Sequence, residues 1–127
     1  MNKFLELKDI SKTFDKNKKL KVLKKLSYKF KKGKTYSLMG PSGSGKSTLL
    51  NLISLIDRPT EGLISFDQSQ IDFNENKIND IFRAKKIGII YQQNNLLPDF
   101  TALENIYLAS LSLHNNKELA VSKAKNL

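Results

Sequence analysis

The 127-residue chain predicts an α/β fold in which an antiparallel β region precedes a core built round a phosphate-binding loop. Three observations point there. Gly40-Pro41-Ser42-Gly43-Ser44-Gly45-Lys46-Ser47-Thr48 fits the pattern G-x-x-x-x-G-K-[ST]. Ahead of it, Thr35-Tyr36-Ser37-Leu38-Met39 is a short strand-like run. Behind it, Leu49, Leu50, Leu52, Ile53, Leu55 and Ile56 recur at helical spacing. The pattern therefore falls on a strand-to-helix turn, where it has mechanical meaning.

The elements follow in order. A strand is expected over Phe4–Ile10, and another over about Lys21–Phe30, where Val22, Leu26, Tyr28 and Phe30 suggest one buried face; Gly33-Lys34 then makes a turn. The phosphate-loop unit comes next, with its strand at Thr35–Met39. After a break at Pro59–Gly62 come a short strand, Leu63–Phe66, a polar connector, a helix near Asn79–Lys85 and a buried-type strand, Ile87–Tyr91. A loop containing Pro98 ends at Thr101. Thr101-Ala102-Leu103-Glu104 has capping-box spacing and opens a helix whose apolar face continues through Ile106, Leu108, Leu111 and Leu113. Asn116–Leu127 reads as a last, amphipathic helix. The expected parts are a β region (about 1–34), a core (about 35–100) and the start of a helical region (about 101–127).

The loop's residue types suit a triphosphate. Gly43 and Gly45 let the backbone approach closely and present N–H groups to the anion. The helix starting near Lys46 adds the positive end of its dipole. Lys46 supplies an ammonium for the β- and γ-phosphates, and Ser47 a hydroxyl for Mg²⁺. Thr48 and the backbone around it reach the α- and β-phosphates. Gly40, Pro41, Ser42 and Ser44 complete the nucleotide-binding turn.

Composition narrows the classes. One domain at most fits this length. With no cysteine, neither a disulfide framework nor a thiolate metal site is available. No uncharged apolar run is long enough to span a bilayer, and Lys3, Glu6, Lys8 and Asp9 interrupt the first ten residues, so a signal peptide is not expected. The expected location is cytoplasmic. The net charge of +10 lies in residues 1–34, which hold thirteen lysines against Glu6, Asp9 and Asp15; the rest balances at nine basic and nine acidic side chains. That segment reads either as attraction to anionic lipid or nucleotide, or as a lysine-biased composition on ordinary solvated positions. No aromatic or arginine-rich pattern accompanies the lysines, so nucleic acid is not an expected partner.

A second block decides which phosphate-loop protein this is: Ile87-Gly88-Ile89-Ile90-Tyr91-Gln92, then Leu96-Leu97-Pro98-Asp99-Phe100-Thr101-Ala102-Leu103-Glu104-Asn105. With these residues the chain resembles the N-terminal part of an ABC-transporter nucleotide-binding subunit. The Leu96–Asn105 run most resembles the ATPase of the lipoprotein-releasing (Lol) exporters, with macrolide-export and cell-division ATPases as relatives that match it less well. The resemblance implies that Gln92 is the Q-loop glutamine, a catalytic residue meeting Mg²⁺ and the attacking water; spacing alone favours a loop hydrogen-bonder instead, and Gln93 is adjacent. It implies that Phe14 stands where an aromatic stacks on adenine and that Val22 lines the same base, although both residue types also suit a core. The Asn94–Tyr107 segment resembles the surface that receives the coupling helix of the transmembrane permease. ATP and Mg²⁺ are the implied cofactors. The implied partners are a second copy, forming a homodimer with sandwiched ATP, and permease subunits that hold the ATPase peripherally on the inner membrane.

Departures matter as much. No glycine follows Gly88, so Leu-Ser-Gly-Gly-Gln cannot occur, and no apolar strand ends in Asp-Glu. His114 stands too early for the family's switch histidine. The chain thus reads as truncated before the Walker B strand, poorly stable by itself and without turnover. A GTPase is disfavoured because Asn79 follows Asn76-Lys77-Ile78 where Asp is required, and a nucleotide kinase because Arg58 and Arg83 are the only arginines. A nucleotide-binding module without hydrolysis remains an alternative if the chain is complete.

Overall fold

The computed structural model describes residues 3–14, 20–114 and 116–127. They fall into two compact units, residues 1–79 and 80–127.

In the first unit, β1 (Lys3–Phe14) pairs antiparallel with β2 (Leu20–Lys31) and with β3 (Glu61–Phe66), and β3 pairs with the two-residue β4 (Ser69–Gln70). The strand order is β2-β1-β3-β4. β4 was hidden in the polar connector. Asp67 and Gln68 make its tight turn with φ of 45° and 71°, the doubly left-handed geometry of a two-residue hairpin. As the edge strand, β2 displays Lys21, Lys24, Lys25, Lys29 and Lys31 to solvent, with Lys29 paired to Glu6 at 3.1 Å. Charged side chains of this kind keep a sheet edge from pairing with other chains.

Simple alternation does not describe β1. Leu5 and Leu7 point inward, but so does Ile10. Asp9 sits at φ 51° as an extra residue against both neighbouring strands, which moves the inward set from odd to even positions. Its N–H is taken by Ser27 Oγ at 2.8 Å. A second irregularity at Lys25 (φ 46°) is held by Ser11 Oγ, which accepts from the Lys25 N–H at 3.1 Å. These bulges correct the expected face of β2: Leu23 is its buried residue, Val22, Leu26 and Phe30 are half-buried, and Tyr28 is exposed.

The helix after the loop, α1, runs Lys46–Ile53 and buries Leu49 and Leu52. It ends earlier than the apolar spacing suggested. Leu55 adopts a left-handed φ of 58°, its N–H bonding Leu52 O at 3.1 Å while Ile56 N–H bonds Asn51 O at 3.0 Å. This is a Schellman stop with leucine where glycine is usual; Leu55 is buried, and that burial offsets the backbone strain. Beyond it the chain returns to β1 through Thr60 N–H to Ser11 O at 2.9 Å.

Two expected strands are absent. Residues 35–39 and 87–91 belong to no strand, and no strand among the described residues pairs with either. Their apolar side chains are correspondingly exposed, Met39 at 86% and Ile90 at 100%. Core strands of an α/β sheet draw their partners from segments distant in sequence, and the described residues supply none. Tyr36 is anchored: its ring meets Tyr28 and Phe30 edge-on, and its hydroxyl accepts from Lys31 N–H at 2.8 Å.

Helix α2 covers Asn76–Lys86, longer than expected at its start. In the second unit, α3 (Ala102–His114) packs on α4 (Lys117–Lys125) through Tyr107, Ala120 and Ala124, with Leu103, Leu108, Leu111 and Val121 around them. Asn116 caps α4, its side-chain oxygen accepting from Leu119 N–H at 3.0 Å. The side chains of Leu113 and His114 lie outside the described residues.

Candidate functional site

Residues 40–45 form a tight loop feeding α1, whose first turn carries Lys46, Ser47 and Thr48. Gly43 (φ 78°) and Gly45 (φ 89°) occupy left-handed conformations that other residues adopt only with strain. Gly45 is also the N-cap, and no side chain caps the helix. No acidic residue stands in the first turn. The opening N–H groups of α1 thus have no side-chain cap and no acidic residue beside the dipole end, an arrangement suited to an anion.

Lys46 lies over this loop. Its Nζ donates to Gly40 O and Pro41 O at 2.7 Å each and, more weakly, to Ser44 Oγ at 3.4 Å. The ammonium therefore stands among the loop's own carbonyls, with its longest contact the easiest to exchange for an anionic oxygen. Ser42 and Ser44 are exposed, as is Ser47 in the first helical turn, while Thr48 is half-buried. Among the described residues no group of three or more His, Cys, Asp or Glu side chains could cage a metal ion. A divalent cation here would depend on the Ser47 hydroxyl and on oxygens brought by the ligand, which suits Mg²⁺ with its retained waters.

The loop leans on the sheet. A Cβ built at Gly45 would lie 3.0 Å from Val22 Cγ1 and 3.1 Å from Leu23 Cδ2. Val22 is the extra β2 residue between the pairs Lys12–Leu23 and Thr13–Lys21, and such a bulge re-aims a side chain. Val22 is thus a packing contact of the loop. Phe14 ends β1 opposite Leu20, two residues along β2 from that contact. At 41% exposure Phe14 is no core residue; one ring face meets Lys12 Nζ, 4.9 Å from the centroid. The structure thus gathers residues 40–48, Val22 and the β1–β2 hairpin end in one unit.

Gln92 and Gln93 belong to the second unit, both exposed in a non-helical stretch. The segment after them shows Leu96 at 68%, Leu97 at 48% and Phe100 at 43% exposure, a cluster of apolar side chains on one short loop. Asn105 shapes that loop. Its side chain accepts from Leu97 N–H at 2.8 Å and donates to the carbonyls of Leu97, Phe100 and Thr101 at 3.0–3.2 Å.

The capping box is present as expected. Thr101 N–H and Oγ1–H both donate to Glu104 Oε2 at 2.8 Å, and Thr101 Oγ1 accepts from Glu104 N–H at 3.3 Å. The backbone N–H of Thr101, then its hydroxyl, hold the Glu104 carboxyl below its ordinary value of 4.5, with Lys117 adding a smaller push the same way. A lowered folded-state pKa stabilises above the unfolded value and is lost as pH falls through the folded one. The α3 start of the wild type is therefore expected to fray on acidification below about 4.5, while Glu104→Gln shows no such dependence; amide hydrogen exchange at residues 102–106 across that pH range checks this.

Lys12 and Asn105 were missed in the sequence. A lysine in a lysine-rich strand and an asparagine in an Asn-rich chain give no local signal of their tertiary partners.

The ABC transporter family model matches residues 23–126. The chain is 40% identical to the lipoprotein-releasing system ATP-binding protein LolD of Rickettsia bellii, over 99% of this chain and 55% of that protein. It is 42% identical to the uncharacterized ABC transporter ATP-binding protein MJ0796 of Methanocaldococcus jannaschii, over 82% of this chain and 45% of that one. The fold superposes on the dimeric post-hydrolysis structure of MJ0796 bound to ADP and Pi with a TM-score of 0.82 at 36% identity, covering 96% of this chain and 54% of that chain. The chain spans about half the length of the curated relatives it matches.

Proposed function

Because the chain belongs to the ABC transporter ATP-binding family, we propose that it is part of the subunit that binds Mg·ATP and couples its hydrolysis to lipoprotein release from the inner membrane. The observation that carries the reading is the uncapped N-terminus of α1 with Lys46 folded over it. In this reading 1–34 is the β region, 35–100 the core with the Q-loop and 101–127 the start of the helical region of a partial nucleotide-binding domain.

Each residue then has a role. Gly40, Pro41, Ser42, Gly43, Ser44 and Gly45 wrap the phosphates with backbone N–H groups. Lys46 exchanges its Ser44 contact for β- and γ-phosphate oxygens, and Thr48 supports the α- and β-phosphates. Ser47 and Gln92 would hold Mg²⁺, which when bound neutralises charge on the terminal phosphates. Gln92 also orients the attacking water. Phe14 stacks on the adenine. A second copy closes over the nucleotide, as the dimeric state of MJ0796 with ADP and Pi supports. The apolar side chains of Leu96, Leu97 and Phe100, on the loop braced by Asn105, support the docking of a permease segment at 94–107. No described helix is long and apolar enough to cross a membrane, which fits attachment through such a partner.

Gln92→Ala in the full-length subunit is expected to leave equilibrium ATP binding nearly unchanged and to lower transport-coupled hydrolysis on the order of 10–100-fold, since a misplaced water or metal ion costs rate rather than affinity. Binding and turnover on the same preparation separate the two. The cargo is tested by reconstituting the subunit with its permease in vesicles and following ATP-dependent lipoprotein release. ATP turnover without release would move the subunit to the macrolide-export or cell-division type.

A further inference from the structure

Among the described residues Lys12 is the only buried charged residue, at 8% exposure. A lysine tolerates burial only where its ammonium is paired. Nζ lies 2.6 Å from Asp57 Oδ1, donates to Arg58 O at 2.8 Å and stands 4.9 Å from the Phe14 ring centroid. Two of these anchors lie just beyond the C-terminal end of α1, the helix whose other end carries the phosphate loop. The third is the aromatic that the nucleotide reading makes the base platform.

We propose that Lys12 is a positioning residue for the purine base of the bound nucleoside triphosphate. The inference rests on Phe14 being the base platform. An aromatic ring offers two faces, and the ammonium takes one of them, so a base can stack on the other. Asp57 and Arg58 fix the ammonium, and the ammonium fixes the ring before any base arrives, which spares the rotamer cost of ordering an exposed phenylalanine on binding. The cation also draws π density from the opposite face, favouring an electron-rich purine there. The same three anchors tie the platform to the far end of the phosphate-loop helix, so base and phosphates meet one connected scaffold. Thr60 reinforces the tie, its Oγ1 accepting from Thr13 N–H at 3.0 Å.

The test measures affinities of the full-length subunit for ATP and for inorganic tripolyphosphate, both with Mg²⁺, and takes their ratio as the contribution of the base. Phe14→Ala is expected to bring the ratio close to unity. Lys12→Met is expected to lower it about three- to tenfold and to leave tripolyphosphate binding within about twofold, with Lys12→Arg restoring most of the loss because a guanidinium also stacks on rings. If Lys12→Met does not fold, the double variant Lys12→Met/Asp57→Met removes the buried ammonium together with its half-buried carboxylate partner and is read in the same way. A collapsed ratio in Phe14→Ala with an unchanged one in the lysine variant overturns the inference and keeps the platform. An equal loss of both ligands in the lysine variant also overturns it, since that marks a general support of the fold. An unchanged ratio in Phe14→Ala overturns the platform reading and this inference with it.

Discussion

Lys46→Ala in the full-length subunit is expected to weaken ATP binding on the order of 100-fold or more, because two charge-assisted contacts to phosphate at about 1.5–3 kcal/mol each disappear together. The fold should survive. Lys46 donates to Gly40 O and Pro41 O, both on exposed residues, and water can replace the ammonium at those carbonyls without a desolvation penalty. The N–H groups at the start of α1 remain in place, so residual affinity reports what the backbone and dipole contribute alone. Equilibrium binding with labelled ATP, alongside a thermal unfolding curve, makes the measurement. Wild-type affinity in a folded Lys46→Ala variant would remove the phosphate loop from the binding site.

The second large effect concerns stability and lies away from the nucleotide. Gly62→Ala is expected to destabilise the fold by about 3–5 kcal/mol, at the severe end of single substitutions. Gly62 has a φ of 95°, outside the range L-residues tolerate. A Cβ there would also lie 2.5 Å from Asp9 O, 2.6 Å from Asp9 C and 2.6 Å from Lys8 O. These are backbone atoms of the β1 bulge, and no rotamer change can move them aside. Relief requires flattening the bulge, which would turn Ile10 outward and break the register that Asp9 establishes. Urea denaturation of the full-length variant reads the loss. A cost below about 1 kcal/mol would mean that the β1–β3 register slips freely.

The parts of the molecule legible in the sequence are those specified locally. The loop 40–48 carries its own glycines and lysine, and Thr101 and Glu104 close a capping box within four residues. What was not legible depends on partners far along the chain. Nothing near Asp9 announces a bulge, whose reason is Gly62 across the sheet. Lys12 looked like one more lysine of a basic segment until Asp57 and Phe14 were placed round it. The runs 35–39 and 87–91 read as apolar strands in the sequence and are not strands in the structure, since strand formation needs a neighbour and the described strands β1 to β4 pair only among themselves. Phe14 is the intermediate case: its position was readable and its exposure was not, since an aromatic in an alternating strand suits either environment.

The lysines along the outer edge of β2 give the positive charge of the N-terminal region a purpose that needs no ligand. Like charges facing outward make two copies of this edge repel before their backbones can zip together, and that repulsion acts over roughly 10 Å at 0.1 M salt and shrinks to about 3 Å at 1 M. Self-association through this edge is therefore expected to follow ionic strength, with dilute buffer keeping copies apart and concentrated salt letting edges approach. A nucleic-acid binder has the opposite habit, condensing on its polyanion in dilute salt and letting go in strong salt.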